Sequence, residues 1–290
     1  MASAAAVGHG SSGDPPRIGE HALCGIAGYS LSDESGVDQT LATQTLLAAI
    51  AERGSDAVGY AYRGPGRPVA VHKQRGGASV LLEQLTVPAD ARQALAHVRD
   101  YTKGHPSLSA NNHPIRHGAV IGVHNGIIRN DEEILADHGF ERAEPGMTVD
   151  SEAIFALAEK ASNHASALEE LHGSMAAAWF DERDAETVYL ARGIGRPLWV
   201  GEGRAELFFA STRKALDLVE RFAEVRLRKR EVGEGSLLAI GGGEVRRADS
   251  FEPDRTFVED APLPPVRAPE EARSCLARLT VIATAAARAR

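Results

Sequence analysis

Cys24 opens the run Cys24-Gly-Ile-Ala-Gly-Tyr29, with glycine on its C-terminal side. A thiol is a small, polarizable nucleophile, and nearby glycines let a backbone or a ligand come close. Asn125-Gly126 follows the short apolar run 120–123 and offers one side-chain amide donor and one unobstructed backbone N–H. That pair is the equipment of an oxyanion hole. Arg99 also ends a short apolar run and can grip a carboxylate bidentately. Asp150 stands where a helix is predicted to begin and can hold an ammonium group. A carboxylate holder with an ammonium holder is a receptor for a free α-amino acid, and a thiol with an oxyanion hole is a machine for acyl transfer. Taken singly, each residue has a plainer reading. A lone cysteine is more often a small buried hydrophobe, Asn-Gly is usually a turn, an arginine after a strand is usually a surface charge, and Asp150 can be a helix cap.

The elements that must position these residues are legible in outline. Residues 36–54 read as a helix with an apolar stripe of Leu41, Leu46, Leu47 and Ile50, and Gly54 stands where a C-terminal cap belongs. Segments 57–62 and 69–73 read as strands, 89–95 as a helix, and 120–123 as a short strand. Residues 150–160 read as a helix, with Asp150, Ser151 and Glu152 favouring its N-terminus. From Met175 the pattern changes to short strands, 175–181, 187–192, 197–201, 207–211 and 236–240, separated by glycine or charged turns. Gly241-Gly-Gly243 reads as a hairpin turn. Strands in both halves with helices around them predict a layered α/β or α+β domain.

In their order and context, five segments resemble the class II, or N-terminal-nucleophile, glutamine amidotransferases. Cys24-Gly-Ile-Ala-Gly-Tyr29 resembles that family's opening strand, and Arg53-Gly-Ser-Asp56 its Arg-Gly-x-Asp turn. His97-Val-Arg99 with Thr102 and Gly104 resembles its His-x-Arg-x-x-Thr-x-Gly loop. Asn111-x-His-Pro114, His124-Asn-Gly-Ile-Ile128 and Asp150-Ser-Glu152 are similar to its later motifs. The likeness covers roughly residues 24–245. It implies an α+β fold, the four-layer αββα sandwich of the N-terminal-nucleophile hydrolases. It also implies roles: Cys24, Asn125 and Gly126 catalytic, Arg99, Thr102 and Asp150 binding substrate, Arg53 and His97 supporting. The loop Arg99-Asp-Tyr-Thr-Lys-Gly104 departs from the Arg-Trp-Ala-Thr-His-Gly of hexosamine-phosphate synthases, with Asp100 in place of the aromatic residue and Lys103 in place of the histidine.

The resemblance implies a glutaminase that cleaves the glutamine side-chain amide through a cysteine thioester and delivers ammonia to a separate synthase. Two alternatives stay open: a hydrolase of γ-glutamyl amides or conjugates, and a non-catalytic scaffold of the same fold. In this family the nucleophile's own α-amino group is the general base, so residues 1–23, rich in Ala, Gly, Ser and Pro, are expected to be a disordered leader or propeptide. The catalytic domain is expected over 24–250, a Pro-rich linker over 251–268 and a last helix over 269–290. A net charge of -8 argues against nucleic acid as the main partner. Two cysteines suggest no disulfide framework and a reducing compartment. Cys275 reads as a packed thiol. The spacings of His97, His113, His117 and His124 fit no usual metal site, so no metal or cofactor is expected. No apolar run is long enough to span a membrane, and the expected location is the cytoplasm.

Overall fold

A computed structural model describes residues 24–162, 164–258 and 266–289. The predicted leader, 1–23, lies outside the described residues, as do part of the 251–268 stretch and Arg290. In chain order the first half comprises β1 (Gly25–Leu31), α1 (Gln39–Ile50), β2 (Ala57–Arg63), β3 (Ala70–Arg75), β4 (Gln93–Arg99), β5 (Ile115–His117), β6 (Val120–Ile128), α2 (Asp131–His138) and α3 (Glu152–Lys160). There follow α4 (His164–Leu168), β7 (Gly173–Asp181), β8 (Asp184–Arg192), β9 (Trp199–Glu202), β10 (Glu206–Ala210), α5 (Arg213–Phe222), β11 (Arg228–Glu231), β12 (Ser236–Gly241), β13 (Glu244–Ser250) and α6 (Pro269–Ala289).

The strands form two sheets, of order β11-β9-β10-β1-β4-β2-β3 and β13-β12-β8-β7-β6-β5, and the pairings within each are antiparallel. Three apolar layers show how they stack. Ile26, Leu95, Val123, Ala176, Phe180 and Phe209 are packed between the sheets. Ala27, Tyr29, Ala94, Ala96 and Val98 face the other way, into a core shared with α1, α5 and the α6 residues Cys275 and Leu279. Val120, Ala177 and Trp179 pack with Ile154, Phe155 and Leu157 of α3. Helices, sheet, sheet, helices: this is the four-layer αββα sandwich. Successive side chains of a strand point to opposite faces, and here both faces are buried. The central strands therefore read as unbroken apolar runs without polar alternation.

That double burial corrects one element. Residues 89–95, read as a helix, belong to the approach and first half of β4. Gln93, Ala94, Leu95 and Ala96 have good helix propensity, but Ala94 and Ala96 are flat enough to lie under α1 while β4 is held on both edges by β1 and β2. Tertiary packing overrides local preference at such sites. The helix over 36–54 is shorter than expected and ends in a 3-10 turn, Ala51–Arg53. Gly54 is extended and caps no left-handed turn. A Cβ there would lie 2.4 Å from the Arg99 carbonyl, so glycine serves close approach between the turn and the end of β4.

Candidate active site

Cys24 immediately precedes β1, whose register sets Gly25 opposite Val98 and Ile26 opposite His97. Cys24 is two residues from Ile26 and so shares its face, toward the second sheet. On β4, His97 and Arg99 share the face of Leu95, again toward the second sheet. On β6, Asn125 shares the face of Ile121 and Val123, which look back at the first. The two sheets touch here through the His97 ring, whose Nε2 lies 3.1 Å from the His124 carbonyl oxygen. Cys24, Arg99 and Asn125 thus converge at one end of the inter-sheet layer.

Both the main chain and the thiol of Cys24 are held. Arg53 Nε donates to the Cys24 carbonyl at 2.9 Å, and Cys24 Sγ lies 3.6 Å from the Asp100 carbonyl oxygen. The thiol is buried, and that burial pushes its pKa up to about 11, against the pull of the Arg99 cation. It is therefore a thiol at neutral pH and needs a base to attack. Burial also pushes Arg53 down to about 10.

Asn125 is completely buried, and neither its Nδ2 nor its Oδ1 has a hydrogen-bond partner among the described residues. Burying an unpaired amide costs free energy. Its neighbour Gly126 has φ +151, and a Cβ there would lie 1.9 Å from the Ser174 carbonyl oxygen. Only glycine fits this point where β6 meets β7.

Arg99 is 2% exposed. Its Nη1 donates to Asn112 Oδ1 at 2.7 Å, and its Nη2 to the carbonyls of Lys103 and Gly104 at 2.7 and 2.6 Å. These three bonds take three of its five guanidinium donors, both on Nη2 and one on Nη1. Asp150 is buried and does not cap α3: its Oδ2 accepts from the Ile128 N–H at 2.8 Å, tying the helix entrance to the end of β6. Burial raises its pKa, opposed by that bond and by Arg99. Arg99 and Asp150 both act electrostatically on Cys24, so cation, anion and thiol share one locality. Thr102 sits half-buried in the loop after β4.

His97 stacks on His113 with ring centroids 4.1 Å apart, and His124 Nδ1 lies 2.8 Å from Ser151 Oγ. Burial lowers all three imidazoles, His97 and His124 to about 3 and His113 well below its ordinary value. They are neutral: His97 and His113 stack on each other, and His124, on the opposite face of β6 from Asn125, ties that strand to the entrance of α3. No group of three His, Cys, Asp or Glu among the described residues is placed to hold a metal ion. Sequence reasoning missed two supports. Asn112 orients Arg99, and Lys103 forms an ion pair of 2.6 Å with the buried Asp131. The positions of Lys103 and Asp131, 28 residues apart, carry no signal that they meet.

Comparison with known proteins bears on the family and the fold. The family described as "Glutamine amidotransferase domain" matches residues 98–218. The chain is 30% identical over 206 residues to the glutamine–fructose-6-phosphate aminotransferase (isomerizing) of Bacillus subtilis, covering 67% of this chain and 33% of that protein. It is 30% identical over 258 residues to the enzyme of that name from Listeria innocua, covering 83% of this chain and 41% of that one. The chain thus spans about a third to two fifths of these relatives' length. Among solved structures, glutamine phosphoribosylpyrophosphate amidotransferase from B. subtilis superposes with a TM-score of 0.63 at 20% identity, over 79% of this chain and 49% of that one. That likeness is one of fold. No helix among the described residues is long and apolar enough to cross a membrane.

Proposed function

The chain belongs to the class II glutamine amidotransferase family, and we propose that it hydrolyses the side-chain amide of L-glutamine through a thioester on Cys24. The observation that carries this reading is the buried, unpartnered amide of Asn125 beside Gly126, on the face toward Cys24. A buried donor without a protein partner has its use when an oxyanion forms.

Arg99 takes the α-carboxylate of glutamine and Asp150 the α-ammonium, with Thr102 on the wall of the same pocket. Cys24 Sγ attacks the side-chain carbonyl carbon, and the carbonyl electron pair moves onto oxygen, which Asn125 Nδ2 and the Gly126 N–H receive. The thiol proton goes to the base and from it to the departing nitrogen. Ammonia leaves and a glutamyl thioester remains. Water, activated by the same base, then releases glutamate and restores the thiol.

The base is the α-amino group of Cys24 itself. A free α-amine titrates near 8, close to working pH, whereas an amide nitrogen within the chain cannot accept a proton. His97, His113 and His124 are poor proton acceptors, because burial disfavours their charged forms. Active protein therefore begins at Cys24. Intact-mass measurement beside a glutaminase assay tests it: a chain shortened to Met followed by Cys24, whose Met the cell removes, is at least as active as the full chain. Full activity from protein that still carries residues 1–23 would falsify the assignment of the base. Ammonia released here serves a synthase, and we place that partner on a separate polypeptide. In its absence glutamate and free ammonia appear one to one; with the partner and its acceptor, ammonia falls short of glutamate.

A further inference from the structure

Two segments hold Cys24: the turn Ala51–Arg53, through Arg53 Nε and the Cys24 carbonyl, and the loop after β4, whose Asp100 carbonyl faces the thiol. The segment entering α6 touches both. The backbone N–H groups of Arg267 and Ala268 donate to the Glu52 carbonyl at 2.8 and 2.9 Å. The Arg267 side chain donates from Nε to Asp100 Oδ2 at 2.8 Å. Glu52 adjoins Arg53, and Asp100 supplies both the carboxylate for Arg267 and the carbonyl facing Sγ. The segment itself is anchored by α6. Glu271 accepts from the Ser79 N–H and Oγ at 2.6 and 3.0 Å, and Cys275 and Leu279 are buried in the helix-side core.

We propose that Arg267 is a positioning residue for the nucleophile. With Ala268 it forms a strap that fixes the Glu52–Arg53 turn and the Asp100 loop relative to each other, and so fixes Cys24 between them. The strap acts through geometry, at the point where the thiol must meet the substrate carbonyl. It also couples the site to the docking of a helix more than 240 residues away in sequence from Cys24. Loss of the strap leaves the sandwich folded, since the inter-sheet layer is built without it, but frees the loop.

The proposal rests on Cys24 being the nucleophile, so its test reads the loop and the thiol directly as well as turnover. In the full chain, Arg267→Ala raises amide hydrogen exchange over 99–104 and speeds iodoacetamide alkylation of Cys24 by about fivefold, the scale a half-exposed ion pair can give. Alkylation of Cys275, read from its own peptide, stays put. The exchanged pair Asp100→Arg with Arg267→Asp moves both rates back toward wild type, and Arg267→Lys lies between. With glutamine, Arg267→Ala lowers kcat about tenfold and leaves KM nearly unchanged, as expected for a misplaced reacting atom. Exchange and alkylation at wild-type rates in Arg267→Ala overturn the strap, as does a rise shared equally by Cys275, which would mean general loosening. If wild-type protein whose mass shows that it begins at Cys24 hydrolyses no glutamine, the nucleophile reading fails while exchange and alkylation still decide the strap.

Discussion

At the scale of single residues, the proposed reaction separates groups that bind from a group that acts only on the developing charge. In that proposal Arg99 and Asp150 meet the ends of the amino acid that do not change during the reaction. Asn125 is proposed to meet an oxygen whose charge appears only in the transition state. Shape-preserving variants make the distinction clean, because Asp150 also accepts from the Ile128 N–H and Arg99 braces Asn112. Asp150→Asn and Arg99→Lys are expected chiefly to raise KM for glutamine, by about ten- to a hundredfold for a lost charge-assisted contact. Asn125→Ala is expected to lower kcat by about a hundredfold or more with little change in KM. Steady-state kinetics on the three variants settles the division. A KM effect alone at Asn125 would remove it from the oxyanion hole.

At the scale of elements, legibility followed how local each cause was. The residues with chemistry stood near strand ends and turn starts that the sequence marks with glycine; 120–123 was recognisable as a strand from its apolar run, but β6 runs on through Asn125-Gly126 to Ile128. The helical reading of 89–95 failed because alanine is both a strong helix former and the residue that fits under α1 when a strand is covered on both faces. Gly54 was read as a cap because it follows a helix, yet its reason lies 45 residues away at the Arg99 carbonyl. Asp150 was readable as a helix cap, but its partner is a β6 amide that only the folded chain supplies. The β6–β7 junction gives the element-level test. Gly126→Ala must push the Ser174 carbonyl away and hold alanine at φ +151. Strain of this kind costs about 1–3 kcal/mol, about 2–12 °C in melting temperature for a domain of this size. Gly36→Ala, where an added Cβ meets nothing within 4 Å, is the matched control. Equal melting temperatures for the two variants would mean that the junction yields without cost.

At the scale of the whole molecule, three buried imidazoles make stability depend on pH. His97 and His124 titrate at about 3 in the folded chain and His113 well below 6.5, in each case chiefly because burial disfavours the cation. In the unfolded chain the same rings take up protons near 6.5. Below that value the unfolded state binds more protons than the folded one, so stability falls as pH falls. The loss begins near pH 6.5 and continues toward the folded values near 3 of His97 and His124, reaching about 2 kcal/mol for each of these two rings by pH 5, and His113 adds to it with the same sign. Asp131 and Asp150 have the opposite sign. Their pKa values are raised by burial, so protonation favours the folded state and offsets part of the loss at the acid end. The expected result is a melting temperature that drops by roughly 10 °C or more between pH 7.5 and pH 5, with uptake of about three protons on unfolding at pH 5. Calorimetry in buffers of different ionisation enthalpy measures both. A melting temperature that stays flat across this range, without proton uptake on unfolding at pH 5, would mean that the three rings are charged or solvated in the folded protein.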